Sequence, residues 1–199
     1  MSLKLKLGLA AALSLGMSAA PAVAQKFSDS FTFLKSVKER NGGEVERLLA
    51  SPSSTVINTK ESSTGESALH IVARGRDLNW LTFLLGKGAR PDSQDKNGTT
   101  PLAVAAQLGW VEGAETLLRA RAAVDMPNSR GETPLIMAVQ KRDAAMVRLL
   151  LGKGANPKRT DSAAGYSALD YARRDPRAAM VLKMLEAAKP AREIAGPKL

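Results

Sequence analysis

The apolar positions of this chain fall in short runs of helical period, and the stretch from Gly98 to Arg121, GTTPLAVAAQLGWVEGAETLLRAR, shows the unit in full. Leu102, Ala105 and Ala106 give a short helix with a small-residue face. Thr100 is placed to cap it, and Pro101 fits the first turn, where a missing N–H leaves no intrahelical bond unmade. Leu108-Gly109-Trp110 breaks the run, and Val111 to Leu118 resumes the period, ending in the apolar pair Leu117-Leu118. The pattern predicts two short helices lying back to back.

The same string recurs with a glycine as its marker, beginning at Gly65, Gly98, Gly131 and Gly165, at spacings of 33, 33 and 34 residues. Thr-Pro-Leu opens the first helix at Thr100 and Thr133, with Ser67-Ala68-Leu69 and Ser167-Ala168-Leu169 in its place elsewhere. A leucine pair closes the second helix, and Gly-Lys-Gly-Ala follows it at 86–89 and 152–155. In period and motif the chain resembles the ankyrin repeat over roughly residues 29 to 188. The resemblance implies an all-α solenoid of about five helix-turn-helix repeats, at about 29–64, 65–97, 98–130, 131–164 and 165–188, with β-hairpin-like fingers between them. The first reads as a capping repeat, in which Asp29 or Ser30 caps a helix through Phe31, Phe33, Leu34 and Val37. The Ser/Thr-rich connection 51–64 is expected to be the loosest finger, and the tail 189–199, with two prolines and no apolar period, to be disordered.

Some positions depart from the pattern. Ala103, Ile136 and Asp170 replace the motif histidine, which survives only as His70. Gly113 interrupts a helix at a cost of about 1 kcal/mol relative to alanine. Asp175-Pro176 ends the first helix of the fifth repeat early, because the residue before proline avoids the helical region.

The first 24 residues belong to a different pattern. Lys4 and Lys6 precede an apolar run from Leu7 to Met17 and a small-x-small site at Ala22-Val23-Ala24, which predicts a secretory signal peptide cleaved before Gln25. The run is well short of the ~20 residues that span a bilayer, so no stable membrane insertion is expected after cleavage. The expected location is periplasmic or secreted. The chain has no cysteine, which removes disulfides, thiol chemistry and a lipidated cysteine anchor.

The formal charge is +10, and the excess is uneven: residues 25–140 carry 14 basic and 13 acidic side chains, residues 141–199 carry 13 and 6. A basic end attracts acidic partners by long-range steering, or it simply keeps the protein soluble. With one histidine and no cysteine, no transition-metal site of the usual ligand set can be assembled. Gly-Lys-Gly-Ala follows its helix, so it reads as a C-terminal cap and not as a phosphate loop, which must precede one. Asn97-Gly98-Thr99 is formally a glycosylation acceptor and is also simply a turn. No nucleophile–base pair, metal set or cofactor motif marks an enzyme.

The resemblance implies that partner contacts come from finger tips, the residue after each marker glycine, and the end of each first helix. In this chain those positions include Arg74, Lys96, Asn97, Thr99, Gln107, Leu108, Arg130, Glu132, Gln140, Lys141, Tyr166 and Arg174, to which Lys158 and Arg159 add the basic end. Trp80 reads as core; Trp110, at the junction between helices, is a candidate anchor for a partner and equally a candidate for burial against a neighbouring repeat. The expected function is a monomeric, non-enzymatic module binding a protein partner through its concave face and fingers, the partner acidic where it meets the basic end. The alternative is a basic protein binding an envelope polyanion through repeats four and five. Nucleic acid is disfavoured by export and by the few aromatics available for stacking.

Overall fold

The computed structural model describes residues 22–50 and 55–188, with side chains from 29 onward. The apolar leader run and the tail 189–199 lie outside the described residues, as do positions 51–54 of the first connection. The described residues form ten α-helices and no sheet: α1 (Ala22–Lys38), α2 (Gly42–Leu49), α3 (Ala68–Arg74), α4 (Leu78–Gly86), α5 (Pro101–Leu108), α6 (Val111–Arg119), α7 (Pro134–Gln140), α8 (Ala144–Gly152), α9 (Ala168–Arg174) and α10 (Ala179–Ala187). Consecutive helices pair, and the pairs stack: α1, α3, α5, α7 and α9 make one row, while α4, α6, α8 and α10 make a second.

Local chemistry starts several of the helices. The Thr100 and Thr133 hydroxyls accept from the N–H of Ala103 (3.1 Å) and Ile136 (3.3 Å), with Pro101 and Pro134 in the first turn. Asp77 and Asp143 cap α4 and α8, accepting from Trp80 N (3.0 Å) and Met146 N (3.0 Å). Between the rows the leucines are sealed: Leu69, Leu81, Leu84, Leu102, Leu117, Leu135 and Leu150 are all fully buried. Truncating any one of them to alanine would cost about 2–5 kcal/mol.

The structure corrects several sequence expectations. Asp29 and Ser30 do not cap a helix, because α1 already starts at Ala22 and runs through them. Phe33, Leu34 and Val37 are buried as expected, but Phe31 is 71% exposed. Trp80 is half-buried on the rim of the core, edge-on to Phe83 at 5.6 Å and under the Arg40 guanidinium. Trp110 is the buried indole, only 7% exposed. It lies over Gly113, where a Cβ would sit 2.1 Å from Trp110 Cε3, so the glycine that weakens α6 makes room for the ring. The described part of the first connection has a 3₁₀ turn at Val56–Asn58, a buried Val56 and a bridge from Lys60 to Ser67.

Two seams tie neighbouring repeats. Along the fingers, Lys96 N–H donates to Thr64 O (3.0 Å), Ser129 N–H to Asn97 O (2.8 Å) and Ser162 N–H to Arg130 O (2.8 Å). The marker glycines are the price of that closeness: at Gly98, with φ +71°, a Cβ would meet Ser129 N at 2.8 Å. At the turn between paired helices, Arg40, Arg76 and Arg142 hold positive φ (59°, 50° and 56°), a conformation uncommon outside glycine. Arg40 Nε donates to Asp77 Oδ2 (2.6 Å), Arg142 Nη1 to Asp175 Oδ2 (2.9 Å), and Arg76 to the Leu108 carbonyl. Each thereby reaches the following repeat.

Candidate functional site

The residue after a marker glycine and the last residues of the following first helix are eight apart, and the fold turns that spacing into contact. In the second repeat Arg74 donates from Nε to Glu66 Oε1. In the fourth, Glu132 Oε2 accepts from Arg130 Nη2 (2.6 Å), Arg130 Nε (3.0 Å) and Asn128 Nδ2 (2.8 Å), and the Gln140 amide bonds the same carboxylate. Burial pushes the Glu132 carboxyl up, yet these donors outweigh it and hold the group below its ordinary range. In the fifth, the Arg174 guanidinium stacks 4.1 Å from the Tyr166 ring centroid. Tyr166 in turn meets Tyr171 edge-on at 5.6 Å.

Tyr171 anchors the cluster. Its hydroxyl donates to Asp161 Oδ2 at 2.5 Å, and the hydrogen bond pushes the phenol up to about 12. Asp161 Oδ1 accepts from the N–H groups of Ala164 (2.7 Å) and Gly165 (2.9 Å). Burial raises the Asp161 carboxyl and these donors, with Tyr171, lower it further, so it lies below the ordinary aspartate range. The last finger is therefore fastened to α9 by a charged, fully engaged carboxylate. Sequence reading left Asp161 and Tyr171 unmarked; the Asp161-x-x-x-Gly165 spacing that sets the turn is the signal that was available.

The remaining candidates divide by exposure. Lys96, Asn97, Arg130, Gln140, Lys141, Lys158, Arg159, Arg74 and Arg174 present exposed side chains. Gln107, Leu108 and Tyr166 are half-buried, and the Leu108 carbonyl is taken by Arg76. Thr99, Glu132 and Trp110 are buried: Thr99 gives its carbonyl to His70, Glu132 is enclosed by its donors, and Trp110 is core. These three shape the surface from beneath and do not offer a free side chain. At the basic end, Arg142 and Arg177 share Asp175, and Arg173 reaches Glu186 at 3.6 Å. Lys158 and Arg159 form no ion pair with a described residue.

His70 is structural in its geometry. Ser67 N–H donates to Nδ1 (3.1 Å), which leaves the proton on Nε2 to donate to Thr99 O (2.8 Å). Burial lowers its pKa below 6.5, so the ring is neutral at physiological pH. No group of three or more His, Asp or Glu among the described residues is arranged to hold a metal ion.

A family model described as ankyrin repeats, in three copies, matches residues 34–128 and again 69–161, together well over half of the chain. The chain belongs to the ankyrin repeat family. An ankyrin repeat-containing protein of Treponema pallidum is 33% identical over 114 residues, covering 57% of this chain and 38% of that protein. Neurogenic locus notch homolog protein 1 of Danio rerio is 37% identical over 119 residues, and neurogenic locus notch homolog protein 4 of Homo sapiens is 36% identical over 94 residues; they share 58% and 47% of this chain and 5% of their own lengths. The chain thus spans well under half of each of these relatives. Ankyrin repeats are in general protein-interaction modules, and the geometry above suits that role: packed helices hold exposed side chains on stitched fingers.

Proposed function

We infer that this protein is an exported, non-enzymatic interaction module that holds a protein partner against its fingers and the concave face of its first helices. The observation that carries this reading is the finger ladder, in which three backbone bonds spaced one repeat apart fix the exposed tips relative to one another. Side chains on a fixed frame lose little ordering entropy on binding. At the basic end of the surface lies the Tyr166–Arg174 stack, with Gln140 and Lys141 at the matching positions one repeat earlier, and aromatic and arginine side chains are the usual energetic anchors of interfaces. The partner is acidic where it meets repeats four and five, since the charge excess resides there. Cleavage before Gln25 delivers the module to the periplasm or the outside.

The test is affinity capture from the native envelope with the chain from Gln25 to Leu199, set against Tyr166→Ala and a Lys158→Glu, Arg159→Glu, Arg174→Glu variant. One defined protein, lost with either variant, supports the reading; a protein retained by both would sink it. A second reading, binding of an envelope polyanion, draws on Lys158 and Arg159, which are exposed and form no ion pair with a described residue. It predicts recovery of lipid or polysaccharide that moderate salt abolishes.

A further inference from the structure

The finger ladder begins without its first rung. Lys96, Ser129 and Ser162 each donate a backbone N–H to the finger before, whereas Ser63, 33 residues ahead of Lys96, is exposed and meets no earlier finger among the described residues. Beside it, one face of α1 and the stretch Thr59–Ser62 enclose a cavity of about 330 Å³. Its apolar lining is Leu34 and the 71% exposed Phe31; its charged lining is Lys35, Lys38 and Lys60 against the single carboxylate Glu61, with Ser30, Thr59 and Ser62 completing the wall.

Those cations are not equally engaged. Lys38 is committed to Glu61 at 2.7 Å and Lys60 to the Gln94 carbonyl at 2.6 Å, while Lys35 lies 3.9 Å from Glu39 with both side chains more than half exposed. The cavity therefore combines an apolar wall with one loosely held positive charge, and Ser63, whose backbone N–H bonds no described residue, follows the lining residue Ser62 in sequence. We propose that this cavity takes an apolar side chain of the partner, carried next to a carboxylate, with the partner's backbone carbonyl accepting from Ser63 N–H. The assignment rests on the interaction-module reading and adds the chemistry of the segment bound at its N-terminal end. The chain's own last finger is a poor occupant, because Ala163, Ala164 and Gly165 offer no side chain large enough to fill the hole.

The probe is the capped dipeptide acetyl-Phe-Asp-amide, titrated into the ¹⁵N-labelled chain from Gln25 to Leu199, with acetyl-Ala-Asp-amide and acetyl-Phe-Asn-amide as comparators. The expected result is saturable shifts at the amides of Leu34, Lys38 and Ser63, with each comparator weaker by roughly fivefold or more. Phe31→Ser, exposed and therefore not needed for folding, should remove the preference for the aromatic probe, and Lys35→Glu the preference for the carboxylate. Tyr166→Ala should leave the titration unchanged. Absence of shifts at millimolar probe, equal affinity for all three probes, or insensitivity to both variants would overturn the assignment. So would concentration-dependent dimerisation that Phe31→Ser abolishes, which gives the cavity to a second copy. None of these results touches partner capture through Tyr166, so the two readings fail separately.

Discussion

His70 joins the second repeat to the third: its Nε2–H donates across the repeat boundary to the carbonyl of Thr99 at 2.8 Å, while its Nδ1 accepts from Ser67 N–H at the start of its own helix. Both groups it satisfies are buried. His70→Ala leaves a donor and an acceptor unpaired and opens a hole, and it should destabilise the fold by about 2–4 kcal/mol in chemical denaturation. A loss under about 0.5 kcal/mol would show that the bond carries no weight.

The same residue sets a pH dependence. Its folded pKa lies below the unfolded value near 6.5 because burial disfavours the imidazolium, and a proton on Nδ1 would also displace the Ser67 donor. A depressed folded pKa means that the unfolded chain binds the proton first. The contribution is present above pH 6.5 and is lost as pH falls toward the folded value, with a slope of at most about 1.4 kcal/mol per pH unit. Denaturation midpoints of the wild type should fall between pH 7 and 5, and those of His70→Gln should be flat over the same window.

Two glycines with the same backbone separate conformation from contact. Gly131 and Gly165 have φ of +76° and +69°, so any side chain costs about 1–2 kcal/mol at either. At Gly131 a Cβ would also meet Ser162 N at 2.5 Å, whereas at Gly165 no described atom lies within 4 Å. Gly131→Ala should be the more damaging by at least about 1 kcal/mol in thermal unfolding. Equal effects would mean that the finger seam yields freely.

Legibility tracked distance in sequence. Thr100, Pro101 and the leucine pair could be read because capping and helical period are local, and the repeat made each reading support the next. Sequence ranks Trp80 as the core indole and Trp110 as the candidate anchor, and the structure reverses the two, since burial depends on the absence of a Cβ at Gly113 and on Arg40 arriving from another repeat. Thr99 and Glu132 sit at positions that look solvated in a pattern, yet one gives its carbonyl to His70 and the other is closed over by Arg130 and Asn128. The arginine seam was invisible, because Arg76 and Arg142 look like ordinary surface charge until the turn places them at positive φ.

That seam distinguishes strain that is used from strain that is not. Arg121 has φ +66° at the position where the second and fourth repeats have Gly88 and Gly154, and its exposed side chain makes no bond to a described residue. Arg121→Gly should therefore stabilise the protein by about 0.5–1.5 kcal/mol. Arg142→Gly relieves the same conformation but releases Asp175, so it should gain less or lose. If the two substitutions shift the melting temperature equally, the Arg142–Asp175 contact contributes nothing.

Asp161 and Tyr171 give the last test, because they shift in opposite senses. Tyr171 is pushed up to about 12 by its bond to Asp161, so the folded chain keeps a phenolic proton that the unfolded chain releases near 10. Its stabilisation is present below pH 10 and is lost as pH rises toward 12. Asp161 is held low, so its contribution is present above the ordinary 3.8 and is lost as pH falls through the folded value. Ultraviolet titration should show one of the two tyrosines ionising only near 12, a step absent from Tyr171→Phe. In the same variant the Asp161 carboxyl loses a donor, so its pKa by carbon-detected NMR should rise. If Asp161 does not move, the finger turn alone sets its charge through Ala164 and Gly165, and Tyr171 merely rests against it.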